Sequence, residues 1–98
     1  MHIQQSESYV GDNWWDWSVW IEGAPDELDA VNSVEWQLHP TFPNPIRVIT
    51  DRTTNFRLDT AGWGVFPIRA SVHFSDGRVE KLRHSLELHY PDGQRNTA

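Results

Sequence analysis

The 98-residue chain carries a formal net charge of −6, no cysteine and six tryptophans. Its length suits one hydrophobic core and not two, and the missing cysteines exclude disulfide staples and fit a reducing compartment. The acidic balance argues against nucleic-acid binding, which needs Lys and Arg to neutralise phosphate. An acidic surface also favours basic partners such as lysine-rich tails through long-range steering, though solubility alone accounts for such a charge more often. The first nine residues lack the apolar stretch of a signal peptide, and no run approaches the ~20 apolar residues that cross a membrane. The expectation is a cytoplasmic protein, nuclear if its source is eukaryotic, with no membrane contact.

In chain order, residues 3–10 read as an edge strand. Trp17, Val19 and Ile21 then alternate with Ser18, Trp20 and Glu22, the period-two pattern of a half-buried strand. Residues 25–30 have room for a single helical turn. Val34, Trp36 and Leu38 alternate with Ser33, Glu35 and Gln37. Shorter strands are predicted over 46–49 and 56–58. Phe66, Ile68, Ala70, Val72 and Phe74 form one face of the most regular segment, and Leu82, Leu86, Leu88 and Tyr90 share a parity. The tail beyond Pro91 is expected to fray. Seven to eight short strands with frequent Gly, Pro and Asp turns predict an all-β, immunoglobulin-like antiparallel sandwich, a single domain over 1–98.

Parity sets one detail. A two-residue loop at Asp76-Gly77 would bury Lys81 and Arg83 and expose Leu82 and Leu86, because a one-residue slip turns every side chain over. A three-residue loop, Ser75-Asp76-Gly77, restores the match, with Gly77 in the left-handed position of the accompanying bulge.

Two loops hold groups that suit binding. Leu38-His39-Pro40-Thr41-Phe42-Pro43-Asn44-Pro45 carries a histidine, a hydroxyl and an aromatic ring, stiffened by three prolines. Ala61-Gly62-Trp63-Gly64-Val65-Phe66 sets a tryptophan between glycines, where backbone can approach a ligand closely. Phe42 and Trp63 could face each other across a slot that stacks a planar amide. Taken alone, a tryptophan in a small β-domain belongs to the core more often than to a ligand platform, by about two to one.

The sequence resembles the YEATS family of acyl-lysine readers over about 16–90. Asp16-Trp17-Ser18-Val19-Trp20-Ile21-Glu22-Gly23 is similar to the family's D-W-x-V-x-V-x-G strand. Leu38-His39-Pro40-Thr41-Phe42-Pro43-Asn44-Pro45-Ile46-Arg47 is similar to L-H-x-[ST]-F-x-N-P-x-R, and Gly62-Trp63-Gly64-Val65-Phe66-Pro67-Ile68 to G-[WY]-[AG]-x-F-x-[IL]. Residues 31–38, Phe56-Arg57-Leu58 and His84-Ser85-Leu86-Glu87-Leu88 fall in order between and after them.

The resemblance implies a non-enzymatic module that grips an acetylated or crotonylated lysine of a protein or peptide between aromatic rings, with no cofactor. Phe42 and Trp63 would be the walls and Thr41 the hydroxyl partner of the amide. His39 would support that hydroxyl, and Trp63 N–H with Gly62 and Gly64 would admit the acyl carbonyl. Phe66 would pack behind. The family's further aromatic falls at Asn13, with Trp14 adjacent. Asp51-Arg52-Thr53-Thr54-Asn55 replaces a proline-containing stretch of eukaryotic members, and the Ser75-Asp76-Gly77 hairpin is shorter. The chain therefore resembles a prokaryotic member, one module beside a signalling or effector domain.

Plainer readings stand beside these. His39 could act as a general base, but no motif supplies a nucleophile, and an orienting histidine is favoured. His73, His84 and His89 match no zinc spacing; His84 reads as a satisfied core histidine, and His73 and His89 as solvent-facing. Trp17 and Trp36 read as core, while Trp14, Trp15 and Trp20 stay open. The alternative functions are an interaction domain without acyl-lysine binding and a carbohydrate-binding sandwich, which would expose coplanar rings on an open face.

Overall fold

The structure is a computed structural model, and it describes residues 1–97. The elements run β1 (His2–Gly11), β2 (Trp14–Glu22), α1 (Pro25–Asp29), β3 (Val31–Gln37), β4 (Ile46–Ile49), a 3₁₀ turn (Arg52–Thr54), β5 (Leu58–Gly62), β6 (Pro67–Phe74) and β7 (Val79–Ser85). They form two antiparallel sheets, β1-β2-β5 and β4-β3-β6-β7. This is the immunoglobulin-like sandwich expected, with seven strands.

Strand parity builds the core. Trp15, Trp17, Val19 and Ile21 of β2 face Val34 and Trp36 of β3 and Ile68, Ala70 and Val72 of β6, all buried. Trp15, open in the sequence, is fully buried, and its indole N–H donates to His89 O at 2.8 Å. Its ring stacks edge-on against Tyr9 and Tyr90, each with centroids 5.0 Å away.

The β6–β7 hairpin has the predicted three-residue loop. Phe74 N–H donates to Arg78 O, Gly77 N–H donates to Phe74 O, and Gly77 has φ +92°. Ala70 accordingly pairs with Leu82 and Ser71 with Lys81, which keeps the leucine inward and the lysine out.

Three expectations are corrected. The strand predicted over 56–58 instead runs from Leu58 to Gly62. Phe56 lies before it with φ +60°, following Asn55 at +57°. Positive φ is uncommon for a non-glycine and unusual for a ring this bulky; the turn is over-determined here. Phe56 N–H donates to Asp51 O, Ile21 N–H to Asn55 O, and Trp36 Nε1 to Phe56 O at 2.9 Å. The tail does not fray. It turns back as a small hairpin in which Tyr90 N–H donates to Gln94 O and Asn96 N–H to Leu88 O. His89 is half-buried, its Nδ1 paired with Glu7, because the 86–90 segment lies along the β1 edge.

That edge is closed by side chains. Gln5 Nε2 donates to Glu87 O, and Gln5 Oε1 accepts from Glu87 N–H and from His84 Nε2 at 2.7 Å. His84 is thus partly buried and partnered, and burial pushes its pKa below the ordinary value, with Glu87 pulling more weakly upward. The unfolded chain then binds this proton more readily than the folded one. The stabilising contribution is complete above the ordinary histidine value of about 6.5 and is lost as the pH falls from there through the lower folded-state value. Urea midpoints of the wild type should fall more steeply between about pH 7.5 and pH 5.5 than those of His84→Gln, whose amide still reaches Gln5. Parallel curves would mean that the His84 ring is not desolvated.

Candidate functional site

At one end of the sandwich, where β3 and β5 end and β4 and β6 begin, the two chemistry-bearing loops meet. A 780 Å³ cavity opens between them, and His39, Thr41, Phe42, Gly62, Trp63, Gly64 and Phe66 all line it. Residues 39–43 and 62–66, remote in sequence, thus share one site.

The first loop is held closed from behind. Leu38 N–H donates to Pro45 O at 2.8 Å and Phe42 N–H to His39 O at 3.0 Å. Arg47, which also lines the cavity, donates through Nε to Asn44 O and through Nη2 to Pro43 O. The planar guanidinium fork satisfies two loop carbonyls at once.

His39 Nδ1 lies 2.9 Å from Thr41 Oγ1 and accepts from Thr41 N–H at 3.2 Å. Accepting the backbone N–H requires a lone pair on Nδ1, so the neutral ring carries its proton on Nε2. Thr41 O–H then donates to Nδ1 and turns its own oxygen lone pairs outward as acceptors. The histidine orients the hydroxyl, with no carboxylate bonded to its ring among the described residues.

The floor is aromatic. Phe66 contacts Phe42 with centroids at 5.4 Å, His39 at 6.1 Å and Trp17 at 5.9 Å, and Trp17 meets Phe42 edge-on at 6.2 Å and 83°. Phe42 is therefore half-buried rather than exposed. Trp63 stands apart at 59 % exposure, with no ring contact to Phe42 among the described residues. Gly62 ends β5, opposite Trp15. A Cβ there would meet Phe42 Cζ at 3.5 Å and Trp17 Nε1 at 3.7 Å, ordinary contact distances, so the protein itself leaves room for a side chain beside the cavity.

The further aromatic comes from the neighbour of the expected position. Asp12 and Asn13 both have positive φ, as a two-residue type I′ turn joining β1 to β2 requires. Asn13 tolerates that conformation. It is tied to two tyrosines, its N–H donating to Tyr9 Oη and its Oδ1 accepting from Tyr90 O–H at 2.8 Å. It does not line the cavity, and Trp14 does. Sequence reasoning also missed Asn96, whose Nδ2 donates to Trp63 O at 2.5 Å. Only the unpredicted C-terminal hairpin brings it there.

A second hollow, 570 Å³, lies over the outer face of β1-β2-β5 and includes Ser18, Arg57 and Asp59. These three bond one another, and Ser18 and then Arg57 hold the Asp59 carboxyl below its usual range. The hollow lacks the ring set of the first. Among the described residues no cluster of three or more His, Asp or Glu could hold a metal ion, and no helix is long and apolar enough to cross a membrane.

Comparison with known proteins shows the family. The model of the prokaryotic YEATS domain matches residues 15–87. The chain is 36 % identical over 88 residues to a Protein AF-9 homolog of Eremothecium gossypii, covering 82 % of this chain and 41 % of that protein. It is 36 % identical to transcription initiation factor TFIID subunit 14b of Arabidopsis thaliana, covering 80 % of this chain and 30 % of that protein. The chain thus spans well under half the length of these curated relatives. Among solved structures it is similar to the Yaf9 YEATS domain recognising an H3K122suc peptide, with TM-score 0.68, 27 % identity and coverage of 89 % of this chain and 69 % of that one. It is also similar to the Yaf9 YEATS domain bound to H3K27ac, with TM-score 0.70, 25 % identity and coverage of 96 % and 73 %. The chain belongs to the prokaryotic YEATS domain family.

Proposed function

We propose that the cavity binds an acylated lysine side chain and that the chain is a binding module, not an enzyme, working inside the cell. The observation that carries this reading is the convergence of seven expected residues on one cavity, with the Trp63 ring exposed and unstacked among the described residues. Solved relatives that bind acylated H3 peptides support it. The partner is a protein or peptide bearing an acylated lysine, and the chain is read as one module beside a signalling or effector domain.

In this reading the planar amide slides between Phe42 and Trp63, with Trp14 covering the outer side, and its N–H donates to Thr41 Oγ1. Trp63 N–H donates to the acyl carbonyl, and Gly62 and Gly64 leave space for the acyl group. The tilt of 53° between Phe42 and Phe66 does not suit the open coplanar platform of a sugar-binding face.

Charge supplies the selectivity. None of the cavity-lining residues is Asp or Glu. An unmodified ammonium would therefore lose water without gaining a counter-ion, and cation–π attraction returns only about 0.5–2 kcal/mol. Calorimetric titration with matched acetyl-, crotonyl- and unmodified-lysine peptides should give binding of both acylated forms, with crotonyl at least equal to acetyl because its flat chain extends the stack. The unmodified peptide should bind about tenfold more weakly or not at all. Equal binding of all three would overturn the proposal.

Trp63→Ala should abolish acyl-lysine binding with a small change in melting temperature, since the ring is exposed. Trp36→Ala, which empties a core site and strands the Phe56 carbonyl, should cost about 3–5 kcal/mol in stability. Severe unfolding of Trp63→Ala would assign its ring to the core instead.

Asn96→Ala should weaken acyl-lysine binding a few-fold, about one hydrogen bond's worth, and speed amide exchange at 63–65 while leaving exchange in β3 unchanged. Unaltered exchange at 63–65 would refute a positioning role for Asn96.

A further inference from the structure

The chain has eight Lys and Arg residues. Four make carboxylate pairs: Arg52 with Asp29, Arg57 with Asp59, Arg78 with Asp76 and Arg95 with Glu87. Arg47 is engaged by the Pro43 and Asn44 carbonyls. The remaining three, Arg69, Lys81 and Arg83, make no ion pair among the described residues, and all three are exposed.

They are gathered on one surface. Arg69 of β6 lies directly opposite Arg83 of β7, and Ser71 lies opposite Lys81, all at the parity that faces away from the core. Like charges directly opposite each other destabilise an antiparallel pair, so the fold gains nothing from this arrangement. The outward carboxylate on neighbouring β3, Glu35, accepts from Gln37 Nε2 and forms no pair with Arg69. Val79, 49 % exposed, extends the same row on β7.

We propose that this outer face of β6 and β7 docks an extended acidic polypeptide segment, a contact separate from the cavity. Side chains on one side of an extended chain repeat every second residue, about 6.6–7 Å apart. Lys81 and Arg83 have that spacing, and Arg69 flanks Arg83, so carboxylates at alternate positions of the partner would meet all three. Val79 offers an apolar contact at the end of the row. A nucleic acid fits less well. Three cations neutralise few phosphates, the whole chain is still −6 with them included, and Arg69, Ser71, His73, Val79, Lys81 and Arg83 include no phenyl or indole ring on which a base could stack.

The test is fluorescence anisotropy with a labelled alternating Glu-Ser octapeptide that contains no lysine, at low and at physiological ionic strength, with a Lys-Ser octapeptide and an eight-nucleotide oligothymidylate as comparisons. The wild type should bind the Glu-Ser peptide saturably and in preference to both others. Lys81→Glu/Arg83→Glu should lose about tenfold or more, and Arg95→Glu, half that charge change elsewhere, less than about twofold. The double variant should melt no lower than the wild type, since Arg69 would then face an opposite charge, and its acyl-lysine titration should be unchanged. Absent binding, equal loss in Arg95→Glu, or tighter binding of the oligothymidylate through the same residues would each overturn the proposal.

Discussion

Trp17 is the joint on which fold and site both depend. Its ring is 2 % exposed in the β2 row, between Trp15 and Val19, and the same ring meets Phe42 and Phe66 beneath the cavity. Its Nε1 has no hydrogen-bond partner among the described residues, an uncommon state for a buried donor. The ring meets Phe42 edge-on at 83°. Gly62 contributes no side chain that could fill the adjoining space. One side chain therefore ties the sheet packing to the aromatic floor of the site, and a shift of β2 by one residue would remove that floor as well as the core row.

Much of this was legible from period-two patterning. β2, β3 and β6 bury the residues their alternation named, Phe66 excepted, which is half-buried at the cavity, and the β6–β7 loop length followed from which register keeps Leu82 in and Lys81 out. Phe56 was misread because its burial resembles that of a strand residue, while its φ is set by tertiary hydrogen bonds to Asp51 and Trp36. The C-terminal hairpin was missed because its polar residues carry no alternation; contacts with other parts of the chain, among them Glu7, Asn13, Trp15 and Trp63, order it. Asp12-Asn13 did carry a readable turn signal, since both residue types tolerate positive φ, and it would have moved the aromatic contribution from Asn13 to Trp14.

The loops show how a small sandwich holds a site without disulfides. Arg47 pins one loop by its carbonyls, Asn96 pins Trp63, and Tyr90 anchors Asn13 next to Trp14. Two of these anchors, Tyr90 and Asn96, lie beyond the residues that match the family model. The part of the chain outside the shared pattern therefore supports the part within it.

The six indole N–H groups are themselves reporters of the central claim, since each lies in a different setting. A ¹H–¹⁵N titration with a crotonyl-lysine peptide should move the Trp63 and Trp14 signals most and Trp17 by contact through Phe42. The signal of Trp20, held on the outer sheet face beneath Arg57, should stay in place. Shifts confined to Trp20, or six signals that do not move at a saturating concentration, would contradict a binding site between the two loops.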